Sequence, residues 1–454
     1  MDTLPLNEIA DMCGGTLHGA SLPLVRRISK DTRTILPGDL YLALRGENHD
    51  GNLYAANAAA KGAAAVLVDD PEILKKLPEG YPAILVENSL RALHRLAGAW
   101  RDRLAIRVAC ITGSSGKTST KEFTAAVLSV RYRVVRTEGN LNNHIGLPLS
   151  ILSASAADDA AVWEIGMNHP GEIAPLAALA RPDLAIITNI GVAHIEHMDS
   201  REAIAQEKGL LVEAVGRDGS VILPAEDDFT SALAARSRAR VIKAGLTGGA
   251  VTASDVTMDT EGCHFTLKAG GESVPAWLPA PGLHMVKNAL LAVAAGLEFG
   301  LSLEECAEGL ASARLSGGRL VRRSIRGIIL LDDTYNANPD SMEAALLTLG
   351  ALATGGNRIA VLGRMGELGS HAEAGYRRVG LAAAKTVNTL ITVGPETGPL
   401  LETARQAGLK QVHKTSDTTE AGSLLRELTR EGDIVLVKGS RGARMERVIQ
   451  HFEN

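Results

Sequence analysis

Disulfide chemistry, nucleic-acid binding and membrane insertion are each disfavoured by what the sequence lacks. Cysteine is scarce: Cys13, Cys110, Cys263 and Cys306 are scattered with no Cys-x-x-Cys spacing, which reads as reduced, mostly buried thiols in a reducing compartment. Positive charge is not in excess. The formal net charge is −5, whereas a nucleic-acid binder carries a strongly basic face; a local basic pocket for a small anionic substrate stays compatible with it. No apolar run reaches the roughly 18 residues that a membrane span needs, and the Ala-rich stretch 55–68 is broken by Asn57, Lys61 and Gly62. The first eight residues, Met1 to Glu8, offer neither a basic n-region nor an apolar h-region, so no signal peptide is expected. A soluble, cytoplasmic chain is the expectation. Aromatic residues make up 3%, which leaves Ala, Leu, Val and Ile to build the core, as suits helices packed on parallel sheets.

What is present is a repeated alternation. From residue 105 onward, short runs that are apolar throughout alternate with Ala/Leu-rich helical stretches. A strand buried on both faces has this pattern, and it is typical of parallel sheets. The runs cover 105–112, 161–165, 184–188, 327–331, 358–362, 389–393 and 433–437. Nearly all of them end in polar or Gly-rich residues. Open α/β sheets bind ligands at the carboxyl ends of their strands, so the recurrence predicts one site spread across two sheets. The stretch 216–280 has a different texture and predicts an antiparallel appendage. Turn-rich residues Leu315-Ser316-Gly317-Gly318-Arg319 mark a joint, and three domains follow: 1–104, 105–313 and 314–454.

The sharpest local signal is Gly113-Ser114-Ser115-Gly116-Lys117-Thr118-Ser119, between a predicted strand and a helix predicted over 119–130. Glycines let the backbone approach phosphate oxygens, and the amides at the helix start point at the anion. Lys117 is placed to bridge the β- and γ-phosphates of ATP and the Thr118 hydroxyl to ligate Mg²⁺. The spacing is Gly-x-x-Gly-Lys-Thr, two residues shorter than the usual phosphate loop.

Other strand ends carry chemistry too. Glu164 closes an apolar run, where a carboxylate is either a buried structural anion or a metal ligand. His194 follows another strand with His197 close behind, a spacing that raises the metal-ligand reading moderately. Lys208, in Ala205-Gln206-Glu207-Lys208-Gly209, passes by itself as a surface helix lysine. Asp332-Asp333-Thr334-Tyr335-Asn336-Ala337-Asn338-Pro339 crowds donors and acceptors into one turn, more than an Asx-rich turn requires. Lys438-Gly439-Ser440-Arg441 presents positive charge at a strand end, where a basic helix start opposes the helix dipole and an anionic substrate offers a better reason for it.

With these motifs in order, the whole chain resembles the Mur ligases of bacterial cell-wall synthesis. Their Thr-Gly-[Ser/Thr]-x-Gly-Lys-Thr loop is met at residues 112–118. Further marks are Gly139-Asn140-Leu141-Asn142-Asn143-His144, Glu164-Ile165-Gly166-Met167-Asn168-His169-Pro170, the stretch from Asp332 to Met342, Gly366-Glu367-Leu368-Gly369, and Lys438 to Arg441 with Met445-Glu446. Within the family the likeness is greatest to the branch that adds D-alanyl-D-alanine to UDP-N-acetylmuramoyl-tripeptide. Arg364 departs from the pattern, since relatives often carry an acidic residue there.

The resemblance implies an α/β fold in three parts: a small α/β N-terminal domain, a central P-loop mononucleotide-binding domain with a parallel sheet, and a C-terminal Rossmann-like domain. It implies ATP and two Mg²⁺ as cofactors and a monomer acting on small-molecule substrates. It assigns Glu164 to one Mg²⁺, His194 to the second, and Lys208, as a carbamate, to a bridge toward that second ion. Asn288 matches an adenine contact, and Arg319 and Asp333 match ATP contacts supplied when the C-terminal domain closes. Ser29, Asp31 and Arg33 match the uridine-nucleotide end of the substrate. Asn140, Asn142 and Asn143 match the muramyl-peptide and γ-phosphate side, and Tyr335, Asn336, Asn338, Lys438 and Arg441 fall to substrate binding.

Overall fold

The computed structural model describes residues 1–315 and 317–454; Ser316, in the joint expected between the second and third domains, lies outside them. The chain forms two compact units. One comprises residues 1–110, 132–165 and 174–182, and the other 111–131, 166–173 and 183–454.

In the first unit five strands form a sheet in the order Thr16–His18, Ala83–Leu85, Ala65–Val68, Asp39–Leu42 and Arg27–Ser29. All neighbours are parallel except the first pair. Strands Asp39–Leu42 and Ala65–Val68 are buried at every residue, as strands covered on both faces must be. Tyr41, Val66, Val68 and Ile73 build the core on one side. In the same unit Ala160–Glu164 runs parallel to Val134–Arg136 and delivers Glu164 at its carboxyl end, 2% exposed.

The second unit holds the phosphate loop. One of its sheets orders Glu272–Leu278, Cys263–Ala269, Val251–Met258, Arg240–Ala244, Ser220–Pro224 and Leu184–Ile187. Only the first three strands are antiparallel. Ser220–Pro224 and Arg240–Ala244 pair in parallel with each other, and the former pairs in parallel with Leu184–Ile187. The expected antiparallel appendage over 216–280 is therefore corrected to its later part. The cause lies in strand Arg240–Ala244, which is partly exposed: Arg240 and Lys243 interrupt the apolar run that marks a strand covered on both faces.

The other sheet of this unit orders Val321–Ile325, Ile328–Asp333, Ile434–Lys438, Arg358–Leu362, Thr389–Val393 and Gln411–Thr415. It is parallel after the first pair, as the apolar runs predict. Val361, Ile391, Val435 and Val437 pack against Val448, Ile449 and Phe452 of the C-terminal helix. All four cysteines are buried free thiols. Among the described residues no helix is long and apolar enough to cross a membrane.

The helix after the phosphate loop spans Lys117–Leu128, beginning two residues ahead of the predicted start. Gly116, at φ +80°, turns the chain into it, so Lys117 and Thr118 already lie in its first turn. Helices Leu283–Glu298 and Leu303–Ala311 lie against it. The approach is close: a Cβ on Gly309 would sit 2.4 Å from Val127 Cα. Gly309→Ala is therefore expected to cost about 1–3 kcal/mol by overpacking, read as a lower midpoint in chemical denaturation.

Candidate active site

The phosphate loop is held from behind by the chain that leaves strand Leu184–Ile187. Ser114 N donates to Asn189 O at 3.0 Å and Ser115 N to Asn189 Oδ1 at 2.8 Å. Thr188 Oγ1 donates to Ser115 O at 2.6 Å, and Gly191 N donates to Ser114 Oγ at 2.9 Å. These bonds use loop amides and carbonyls that would otherwise compete for orientation, and so preorganise the loop. Lys117 Nζ donates to Gly113 O at 2.8 Å, which curls the lysine over the loop it serves. Asn288 packs directly on Gly116, where an added Cβ would lie 2.7 Å from Asn288 Oδ1. Gly116→Ala combines that clash with a left-handed backbone that costs an L-residue about 1–2 kcal/mol. ADP affinity measured by calorimetry is expected to fall by roughly tenfold or more; unchanged affinity would show that the loop does not grip the phosphates.

His194 lies at the N-terminus of the short helix Ile195–Met198 with φ +64°. Its Nδ1 meets the carboxylate of Glu367, which itself stands at φ +59°. Two non-glycine residues in the left-handed region facing one another is strain of the kind that concentrates at functional sites. Burial lowers the imidazole pKa below its ordinary value even with that carboxylate alongside, which favours the neutral form that can ligate a metal. His194 in turn holds the Glu367 carboxyl below its ordinary range. The rings of His169 and His197 lie 4.5 Å apart between centroids, tilted by 33°.

Lys208, far from being a surface lysine, is fully buried in helix Arg201–Glu213. Its Nζ has no hydrogen-bond partner among the described residues, and burial pushes its pKa well below the ordinary value for lysine. Beside it Glu207, also buried, accepts from Gly171 N at 3.0 Å and Ile173 N at 2.8 Å and so ties down that loop.

The C-terminal segment reaches the same loops. The Arg319 guanidinium carbon lies over the Tyr335 ring, 3.8 Å from its centroid, and Arg319 Nη2 donates to Thr118 Oγ1 at 3.0 Å. Asn338 uses both ends of its amide: Oδ1 caps helix Pro339–Ala351 by accepting from Ser341 N at 2.8 Å, and Nδ2 donates to Ser115 Oγ at 3.1 Å. Lys438, by contrast, offers no open positive charge. It is 3% exposed, pairs with Asp333 at 2.6 Å and donates to Asn336 O at 2.9 Å. Strands Ile328–Asp333 and Ile434–Lys438 place these two residues opposite each other in register, so the lysine is spent on shaping the Asp333–Asn336 turn. Arg441 is exposed in the short turn that follows. Arg364 faces Glu396 at 4.0 Å, giving that departure from the family pattern a partner of its own.

In the first unit, Asp31 and Arg33 pair at 2.6 Å, and Ser29 Oγ receives Asp31 N at 3.4 Å. The Arg33 side chain and amide lower the Asp31 carboxyl pKa to about 2. Asn142 Nδ2 donates to Glu164 Oε1 at 2.7 Å. Asn143 accepts from Gly146 N at 2.9 Å at the start of the helix Gly146–Ser153, and Asn140 O accepts from Asn142 N at 2.8 Å. In the second unit, Ser119 is buried within helix Lys117–Leu128, four residues on from Ser115.

Thr188, Asn189 and Glu207 were not legible as functional residues, because each is an ordinary polar residue until the fold brings its partner to it. Glu367 stood inside a motif, Gly366 to Gly369, whose partner could not be named.

Three family models match this chain: the Mur ligase family catalytic domain over residues 25–101, the Mur ligase middle domain over 111–296, and the Mur ligase glutamate ligase domain over 318–441. The UDP-N-acetylmuramoyl-tripeptide--D-alanyl-D-alanine ligase of Bacillus subtilis is 36% identical, with 98% of this chain and 97% of that protein covered. Among solved structures, MurF from Acinetobacter baumannii superposes with a TM-score of 0.90 at 30% identity, covering all of both chains. The MurF ligase of Thermotoga maritima, solved in complex with ADP, gives 0.83 at 27% identity, covering 94% of this chain and 97% of its own. The chain belongs to the Mur ligase family.

Proposed function

We propose that this chain joins D-alanyl-D-alanine to UDP-N-acetylmuramoyl-tripeptide in an ATP-dependent reaction that yields UDP-N-acetylmuramoyl-pentapeptide, ADP and phosphate. The observation that carries the reading is full-length likeness to ligases of that name, with the phosphate loop and its lysine intact. The terminal carboxylate of the tripeptide attacks the γ-phosphorus of ATP to give an acyl phosphate. The free amine of the dipeptide then attacks the acyl carbon, and phosphate leaves as the amide forms.

Each charged residue has a part in that sequence. Lys117 offsets the repulsion between a carboxylate and a triphosphate. Arg319, stacked on Tyr335, orders the Thr118 hydroxyl and stands at the nucleotide. Asp333, clamped by Lys438, and Asn288 frame the rest of the nucleotide. Mg²⁺, when bound, supplies charge neutralisation at the phosphates. The candidate ligands are Thr118, Glu164, His194 and Lys208, for two ions. Among the described residues no three His, Cys, Asp or Glu side chains gather into a metal cluster, which suits Mg²⁺ held by one or two carboxylates together with phosphate oxygens. The fully buried Lys208 Nζ, with no hydrogen-bond partner among the described residues, fits conversion to a carbamate, which would turn an amine into a metal-facing carboxylate.

Substrate recognition divides along the chain in this reading. Residues 1–104 bind the uridine-nucleotide end through Ser29, Asp31 and Arg33. Residues 105–313 bind ATP and, through Asn140, Asn142 and Asn143, the muramyl-peptide. Residues 314–454 close on the nucleotide and bind the dipeptide through Tyr335, Asn336, Asn338 and Arg441. The protein works as a cytoplasmic monomer. An ADP-release assay crossing lysine- and diaminopimelate-ended tripeptides with D-alanyl-D-alanine or single amino acids tests this: ADP release stimulated only by single amino acids would refute the dipeptide assignment.

A further inference from the structure

The loop that carries His194 and backs the phosphate loop is also held from the C-terminal segment, by a residue the mechanism above does not use. Asp340 Oδ2 accepts from Val192 N at 2.9 Å, while its Oδ1 receives Arg378 Nη1 at 2.8 Å. Arg378 is in turn gripped by Glu343. The carboxylate comes so close that a Cβ on Gly191 would lie 2.1 Å from Asp340 Oδ2. Gly191 itself exchanges hydrogen bonds with Ser114 Oγ. A single carboxylate thus connects helix Pro339–Ala351 to the loop that positions both Ser114 and His194.

We propose that Asp340 is a positioning residue of the ligase reaction. Its carboxylate, aimed by Arg378, latches loop 189–194 so that seating the C-terminal segment sets the phosphate loop and His194 together. The simpler alternative is that Asp340 merely provides an acid in the first turn of its helix, favourable to the helix dipole. That role needs neither the Val192 amide nor a residue without a side chain at position 191.

The inference rests on the ligase reading, and its test keeps the two apart. In Asp340→Ala, kcat/KM for ATP in the full reaction is expected to fall about ten- to hundredfold, the range for loss of one charge-assisted hydrogen bond. Deuterium uptake by peptides covering 189–194, measured with ADP bound, is expected to speed up by a similar factor. Asp340→Asn, which keeps an acceptor for Val192 N, should recover most of both. Gly191→Ala should reproduce the defect and add little to it in the Asp340→Ala background, since both changes break one contact. A lower thermal midpoint with unaltered exchange at 189–194, or full additivity of the two changes, would overturn the latch. If the wild-type chain forms no amide, the ligase reading fails, and the exchange experiment still decides whether the latch exists.

Discussion

Lys117→Ala is expected to lower ATP-dependent amide formation by about 10²–10³-fold, the usual scale for removing one preorganised charge from a transition state. The expectation comes from where the lysine is held. Its Nζ bonds to Gly113 O, within the loop whose amides are already fixed by Asn189 and whose Ser115 carbonyl is fixed by Thr188. The ammonium is therefore held at the loop itself, within reach of any phosphate that the loop binds. Because the side chain is only half-buried, its removal should leave the thermal midpoint almost unchanged. Coupled ADP release, set beside a thermal melt, separates a chemical defect from a folding one. Turnover within tenfold of wild type would remove Lys117 from the mechanism.

The second large effect concerns Lys208, where stability and activity should move in opposite directions. A fully buried amine without a hydrogen-bond partner costs the fold free energy, and burial disfavours its charged form. Lys208→Met fills the same space with a side chain that has nothing to satisfy, so its denaturation midpoint should equal or exceed that of wild type. If Lys208 has the metal-site role proposed for it, activity should nevertheless fall by about a hundredfold, the scale for losing a group that tunes a metal site. If the amine works as a carbamate, its nitrogen adds to the carbon of CO₂ and releases one proton. Activity of the wild-type enzyme should then drop in thoroughly degassed buffer and return with bicarbonate, and ¹³C-bicarbonate should give a protein carbamate resonance that Lys208→Met lacks. An active Lys208→Met enzyme would leave the lysine as a buried structural group.

The fold was largely legible because its strands are buried on both faces. Runs 358–362 and 389–393 match strands Arg358–Leu362 and Thr389–Val393 residue for residue, since an apolar run flanked by polar residues marks both ends of such a strand. The signal failed where burial is partial, as in Arg240–Ala244, whose exposed Arg240 and Lys243 break the apolar run. Helix starts were misplaced by a turn's fraction at Lys117, because a positive-φ glycine before a helix looks like loop in sequence.

The site divides along the same line. Local spacing determined the phosphate loop, since its chemistry lies in seven consecutive residues, 113–119, and in the strand and helix that flank them. It also placed Glu164, His194 and the Asp332–Asn338 turn at strand ends, where ligands gather. Burial and pairing were decided only by the tertiary structure. Lys208 reads in sequence as a surface helix lysine and Lys438 as an open positive charge at a strand end, and neither reading describes where the side chain lies. One is enclosed with no hydrogen-bond partner among the described residues, and the other is neutralised by Asp333 from an adjacent strand. The side chains that make that difference come from distant parts of the chain, and the sign and reactivity of a buried charge depend on which of them arrive.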